Sequence, residues 1–201
     1  MKKISVVVPM YYEEEVVNEC YTRLNNVFKE LKTYDYEFIF VNDGSKDRTL
    51  ELLEKIAMDD KKVKIISFSR NFGHQCAVAA GLKHATGDAV IIIDADMQDP
   101  PELIIEMINL WEDGNEVIYA KRKARRGESR FKLCTAKMFY RVLDGLSDVK
   151  IPQDTGDFRL ADRKVINVIN DLPEHNKFLR GLFSWVGYKP VSYTHLTLPT
   201  N

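Results

Sequence analysis

The sequence predicts an α/β domain, built on a mostly parallel sheet with helices on both faces. Three observations carry that prediction. Short apolar runs without period-two alternation take turns along the chain with segments of helical periodicity. Several of those runs break off into polar clusters, as strands do at the ligand-binding edge of an open sheet. The chain, at 201 residues, is long enough for one domain with a substantial core.

The elements follow in order. Ile4–Val8 reads as a buried strand, and 13–31 as a helix with Val16, Val17, Leu24, Val27 and Leu31 on its apolar face. Phe38–Val41 is a second strand ending at Asn42 and Asp43. Asp47 is placed to cap a helix whose face is Leu50, Leu52, Leu53, Ile56 and Ala57. Val63–Phe68 is the third strand, Gln75–His84 the third helix and Asp88–Asp94 the fourth strand. Pro101–Trp111 is helical, since proline suits a first turn, and Gly114 stops it before a fifth strand at Glu116–Ala120. Beyond Lys121 the sheet signal fades. A basic stretch, KRKARRGESRFK, leads to an apolar-faced helix near 133–143, and DTGDFRLADR to a loop, a short strand and a helix near 163–170.

Composition excludes several classes. With 29 basic and 30 acidic residues the net charge is −1, so no general polyanion-binding surface and no nucleic-acid partner is indicated. Cys20, Cys76 and Cys134 are scattered and odd in number, which argues against a disulfide framework or a structural zinc site and fits a reducing compartment. Cys76 and Cys134 read as core residues. Pro9 and Glu13–Glu15 follow the first apolar stretch too soon for a signal peptide. No run approaches the roughly 20 apolar residues that cross a bilayer.

The polar strand ends hold the candidate chemistry. IIIDADMQDPPE sets Asp94 and Asp96 two residues apart beyond the fourth strand, where paired oxygens suit a hard divalent cation. The plain alternative is a loop whose Asp99 caps the following helix. Tyr11 offers a ring for stacking on a base, and Glu13 or Asp43 can accept from a base or ribose. Asp43-Gly44-Ser45 is also an ordinary turn leading into a capped helix. A phosphate-cradling Gly-rich loop is absent.

Taken in order, VVVPMYYEE, VNDGSKDRT, SRNFGHQCAVAAG, DADMQDPPE and TGDFRLADR resemble the family 2 glycosyltransferases. The likeness is strongest to the polyprenyl-phosphate branch and runs from Ile4 to Val191. The resemblance implies a GT-A type three-layer α/β/α fold, with a nucleotide-binding half and an acceptor-binding half, in a domain over 1–191. It implies inverting transfer of a hexose from a nucleotide sugar, UDP-glucose favoured, to undecaprenyl or another polyprenyl phosphate at the cytoplasmic face of a bacterial inner membrane. Mg²⁺ or Mn²⁺ would be held by Asp94, Asp96 and Gln98, and the nucleotide by Pro9, Tyr11, Glu13, Asp43 and Asp94. Arg122 and Arg126, then Lys132, are the expected ligands of the acceptor phosphate, although basic runs are more often solvated faces.

Asp157 matches the position usually discussed as a base. A phosphate acceptor is already largely ionised near neutral pH, so Asp157 is expected as base or orienter, with Arg159 as its ion-pair partner. His74 is expected to contact phosphate or to cap a helix. Two positions depart from the family pattern: Asn42 stands where Asp is frequent, and Tyr12 where Asn is. The likeness stops near Val191, and SYTHLTLPTN is expected to be a tail, foreign or without structure, in place of a membrane region. A transferase to a sugar hydroxyl and a non-catalytic nucleotide-sugar-binding module are the rival readings. Oligomeric state is left open.

Overall fold

The structure, a computed structural model, describes residues 1–122, 155–174, 177–188 and 190–195. β1 (Lys3–Met10), β2 (Asp35–Asn42), β3 (Val63–Ser67) and β4 (Ala89–Ile92) are mutually parallel, in the order β3-β2-β1-β4. Their even apolarity has a direct cause, because both faces are covered. Ile4, Val6 and Val8 of β1 point into one core layer while Val7 points into the other. α1 (Val17–Glu30), α2 (Thr49–Asp59) and α4 (Ile104–Glu112) pack on the first layer. α3 (His74–His84), α5 (Arg163–Asp171) and α6 (Leu179–Trp185) pack on the second. This is the three-layer α/β/α arrangement that the sequence predicts.

The sheet does not fade after Lys121. β5 (Val117–Arg122), β6 (Thr155–Asp162) and β7 (Pro190–His195) extend it in the order β4-β6-β5-β7, giving seven strands among the described residues. β6 runs antiparallel to both β4 and β5, whereas β7 is parallel to β5. The short strand expected in DTGDFRLADR is β6, eight residues long, with Arg159 buried in mid-strand. Ser192–His195, at the start of the stretch expected as a tail, lie in β7 opposite Tyr119–Arg122. The helix expected at 133–143 lies outside the described residues.

Two helix starts also differ from expectation. α1 begins at Val17, and the Glu13 and Glu14 amides ahead of it donate to Thr49 Oγ1 and Asp47 Oδ2 at the start of α2. Asp47 Oδ1 accepts from the Thr49 amide at 3.1 Å, which is the capping role expected of it. The helix expected from Pro101 opens as a 3₁₀ turn at Pro101–Leu103, with Pro100 at its N-cap, and Asp99 is buried beside Gly156. No helix among the described residues is long and apolar enough to cross a membrane.

Candidate functional site

β1 lies at the switch point of the sheet, since the chain moves outward from it to β2 and β3 and then returns to its other side as β4. Ligands bind at such a crevice, outside the carboxyl ends of the strands. A cleft of about 320 Å³ opens there, lined among others by Pro9, Tyr11, Glu13, Asp43, His74, Asp94, Asp96 and Asp157. A second hollow of about 440 Å³ continues it over the ends of β2 and β3 and shares Tyr11 and Asn71.

Asp157 comes from the opposite direction. Because β6 is antiparallel, its amino end lies at the carboxyl ends of its neighbours, and the register Ile92↔Arg159 carries on to set Asp157 across from Asp94. One ligand atom each from His74, Asp94 and Asp157 lies within 4.8 Å of the others. His74 Nε2 is 2.9 Å from Asp94 Oδ1, and its Nδ1 is 4.0 Å from Asp157 Oδ2. The Asp94 hydrogen bond raises the pKa of His74, and burial works against it.

The main partner of Asp157 is Arg180 of α6. Arg180 Nε and Nη2 donate to the two carboxylate oxygens at 2.8 Å each, the bidentate fork that fixes both groups. Arg159, the expected partner, reaches Asp157 Oδ1 only at 3.4 Å. It is 1% exposed, donates to the Gly156 and Asp157 carbonyls, and lies by the rings of Tyr119 and Phe183. Burial alone would raise the Asp157 pKa; the Arg180 hydrogen bonds and charge, with Arg159 and His74, hold it below the usual value.

Asp43 lines the cleft while serving its wall. Its Oδ1 accepts from the Phe72 amide at 2.7 Å and its Oδ2 from the Gly73 amide at 2.9 Å. Gly73 precedes α3 at φ 98°, and the Asp43 carboxylate, from the tip of β2, ties down the loop that enters that helix. Gly44 cannot be larger, since a Cβ would stand 2.3 Å from the Arg70 carbonyl carbon and φ is +69°. Tyr12 has φ 58°, a left-handed conformation that Asn adopts more readily than Tyr. Asn42 accepts from the Ser45 amide and donates to Ser67 Oγ.

Glu13, Asp94 and Asp96 converge on the cleft. Burial raises the pKa of Glu13, and the charges of Asp96 and Asp94 raise it further. Such mutually repelling oxygens fit a hard divalent cation, which would relieve the repulsion. Asp96 Oδ1 also accepts from the Gln98 amide at 3.1 Å. Gln98, exposed like Asp96, is thus held beside it through its backbone amide. Arg122 ends β5, and Arg126 and Lys132 lie outside the described residues. Cys76 is half-buried rather than core. Arg180 and Gln75 were not singled out by sequence reading; an arginine inside the apolar helix FLRGLFSW was the available signal.

The fold is the GT-A fold. Glucosyl-3-phosphoglycerate synthase from Mycobacterium tuberculosis, solved with Mn²⁺, uridine diphosphate and phosphoglyceric acid, superposes with a TM-score of 0.69 at 20% identity, over 98% of this chain and 69% of that one. The mannosyltransferase PcManGT from Pyrobaculum calidifontis, solved with GDP-Man and Mn²⁺, gives 0.64 at 18%, over 98% and 56%. The chain belongs to glycosyl transferase family 2, whose profile matches residues 5–169. The uncharacterized glycosyltransferase YkcC of Bacillus subtilis is 55% identical over 192 residues, 96% of this chain and 59% of its own length. The bactoprenol glucosyl transferase of Shigella phage SfV is 46% identical over 185 residues, 92% of this chain and 60% of its own. The chain thus spans about 60% of the length of these curated relatives.

Proposed function

We propose that this chain is the catalytic domain of a transferase that moves a hexose, with inversion, from a nucleotide sugar to a polyprenyl phosphate at the cytoplasmic membrane face. One observation carries the reading. The cleft at the tips of β1, β2 and β4 faces Glu13, Asp94 and Asp96 on one side and the clamped Asp157–Arg180 pair on the other. UDP-glucose is the favoured donor, in keeping with the phage relative's name.

Tyr11 offers its half-exposed ring to the base, and Pro9, Glu13 and Asp43 complete that wall. Asp94 and Asp96 would hold Mg²⁺ or Mn²⁺, which offsets the charge that grows on the departing nucleoside diphosphate. A phosphate oxygen of the acceptor attacks the anomeric carbon from the opposite side; that bond forms as the bond to the diphosphate oxygen breaks. An acceptor whose second pKa is about 6 needs no proton removed, and Asp157, already paired with Arg180, serves as an orienter. Arg122, Arg126 and Lys132 are the proposed phosphate ligands. The clamp on Asp157 weighs against a sugar-hydroxyl acceptor, which would need a free base.

Thermal shift with UDP- and GDP-sugars, with and without Mn²⁺, tests the reading. A donor at 100 times its dissociation constant adds about 2.7 kcal/mol, or about 5–11 °C in Tm for a chain of this size. UDP-glucose is expected to stabilise only with the cation, and Asp96→Ala to abolish the effect. Equal stabilisation of the variant would refute the cation site. Radiolabelled glucose absent from an organic-extractable, acid-labile lipid fraction would leave a binding module only.

A further inference from the structure

A hydrogen-bond relay leads from the backbone of α6 to Asp94. The Leu179 amide lies 3.0 Å from Gln75 Oε1, Gln75 Nε2 lies 3.3 Å from His74 Nδ1, and His74 Nε2 lies 2.9 Å from Asp94 Oδ1. Each polarity follows from the one before. A main-chain N–H can only donate, so the arm of Gln75 that meets it is the oxygen. The other arm is then an NH₂ group, which can only donate, and Nδ1 must accept from it. A neutral imidazole that accepts at Nδ1 carries its proton on Nε2, facing the carboxylate. Asp157 Oδ2, at 4.0 Å, is too far to compete for Nδ1.

We infer that Gln75 and His74 are positioning residues for the cation site: Gln75 fixes the tautomer of His74, and His74 fixes the orientation of Asp94. The inference rests on the reading of Asp94 as a cation ligand. An imidazole N–H on one oxygen of a ligating carboxylate holds that carboxylate in one rotamer. Losing such an outer partner typically weakens metal binding by about 10–100-fold. The placement of the relay also joins the two sides of the cleft. Leu179 anchors it, and the next residue, Arg180, forks onto Asp157, so one turn of α6 sets the posture of both acids. At the other end, the start of α3 that carries His74 and Gln75 is held by Asp43 through the Phe72 and Gly73 amides.

The test uses the full 201-residue chain, with Mn²⁺ binding read from loss of the free-ion EPR signal and the His74 tautomer read from imidazole ¹⁵N shifts. The cation-free chain is expected to show the Nε2–H form. His74→Ala should raise the Mn²⁺ dissociation constant by about 10–100-fold, and Gln75→Leu by about tenfold with mixed tautomers. The double variant should bind as His74→Ala alone does, because Gln75 acts through His74. Gln75→Met, which keeps volume without the amide, must repeat Gln75→Leu, and melting curves establish that each variant is folded. An unchanged Mn²⁺ constant or an unchanged tautomer in both Gln75 variants overturns the inference, as does an additive double variant. A wild-type chain with the Nε2–H form but no affinity for Mn²⁺ refutes the cation reading above, and this inference with it.

Discussion

Replacing Asp43 with alanine removes a carboxylate with which the tip of β2 ties down the loop entering α3. Its carboxylate is 3% exposed and accepts the Phe72 amide at 2.7 Å and the Gly73 amide at 2.9 Å. Hydrogen bonds to charged groups contribute about 1.5–3 kcal/mol each net of exchange with water, so the pair is worth about 3–6 kcal/mol. Phe72 is half-exposed, so water can reach the loop, and the lower bound of about 3 kcal/mol is the better figure. At about 2–4 °C per kcal/mol for a chain of this size, Asp43→Ala should melt about 6–12 °C below wild type. Asp43→Asn keeps one acceptor but turns an NH₂ toward a second donor, and should lie between the two. Circular dichroism melts give the shift, and hydrogen exchange at the Phe72 and Gly73 amides reports the local loss. A melting point within 1 °C of wild type, with both amides still protected, would refute the reasoning.

Glu37 gives a prediction in pH. Burial would raise its pKa, but hydrogen bonds from Lys64, Ser5, the Thr86 amide and Lys3 outweigh it and hold the carboxyl far below the usual range. A depressed folded pKa contributes stability that is present above the unfolded value of about 4.3 and lost as pH falls toward the folded one. Glu37→Gln should therefore cost about 3 kcal/mol at neutral pH and flatten the fall in Tm below about pH 4, checked by melts across pH 7 to 3. Cys20 is fully buried, with a thiol pKa pushed up to about 12. It should stay unlabelled by a thiol reagent in the folded chain while half-buried Cys76 reacts, as peptide mapping would show. A Cβ at Gly81 would stand 2.2 Å from Val7 Cγ1, so Gly81→Ala should destabilise by about 1–3 kcal/mol in denaturant titration.

The nucleotide half was legible because its signals are local. β1, β2 and β4 announce themselves through apolar runs, and Asp94 and Asp96 follow directly from where the fourth strand's run stops. The other half rests on long-range pairing. Nothing in TGDFRLAD tells a reader that it runs backward between two parallel strands, since Arg159 looks like surface until Tyr119 and Phe183 cover it. Arg180 was missed for the same reason: α6 reaches Asp157 only through packing on the second layer.

The reversed course of β6 has a bearing on how the chain comes to be made. As synthesis proceeds, β4 and β5 emerge early, yet neither can pair with the other, because the strand that belongs between them is encoded well downstream. Until residues 155–162 arrive, the flank of AVII and the apolar Val117–Ala120 run stand bare, two adhesive edges on one nascent protein. Shortening the gene before Thr155 should yield an aggregate, because the parallel β3-β2-β1-β4 flank forms slowly and its β4 edge lacks the strand that covers it.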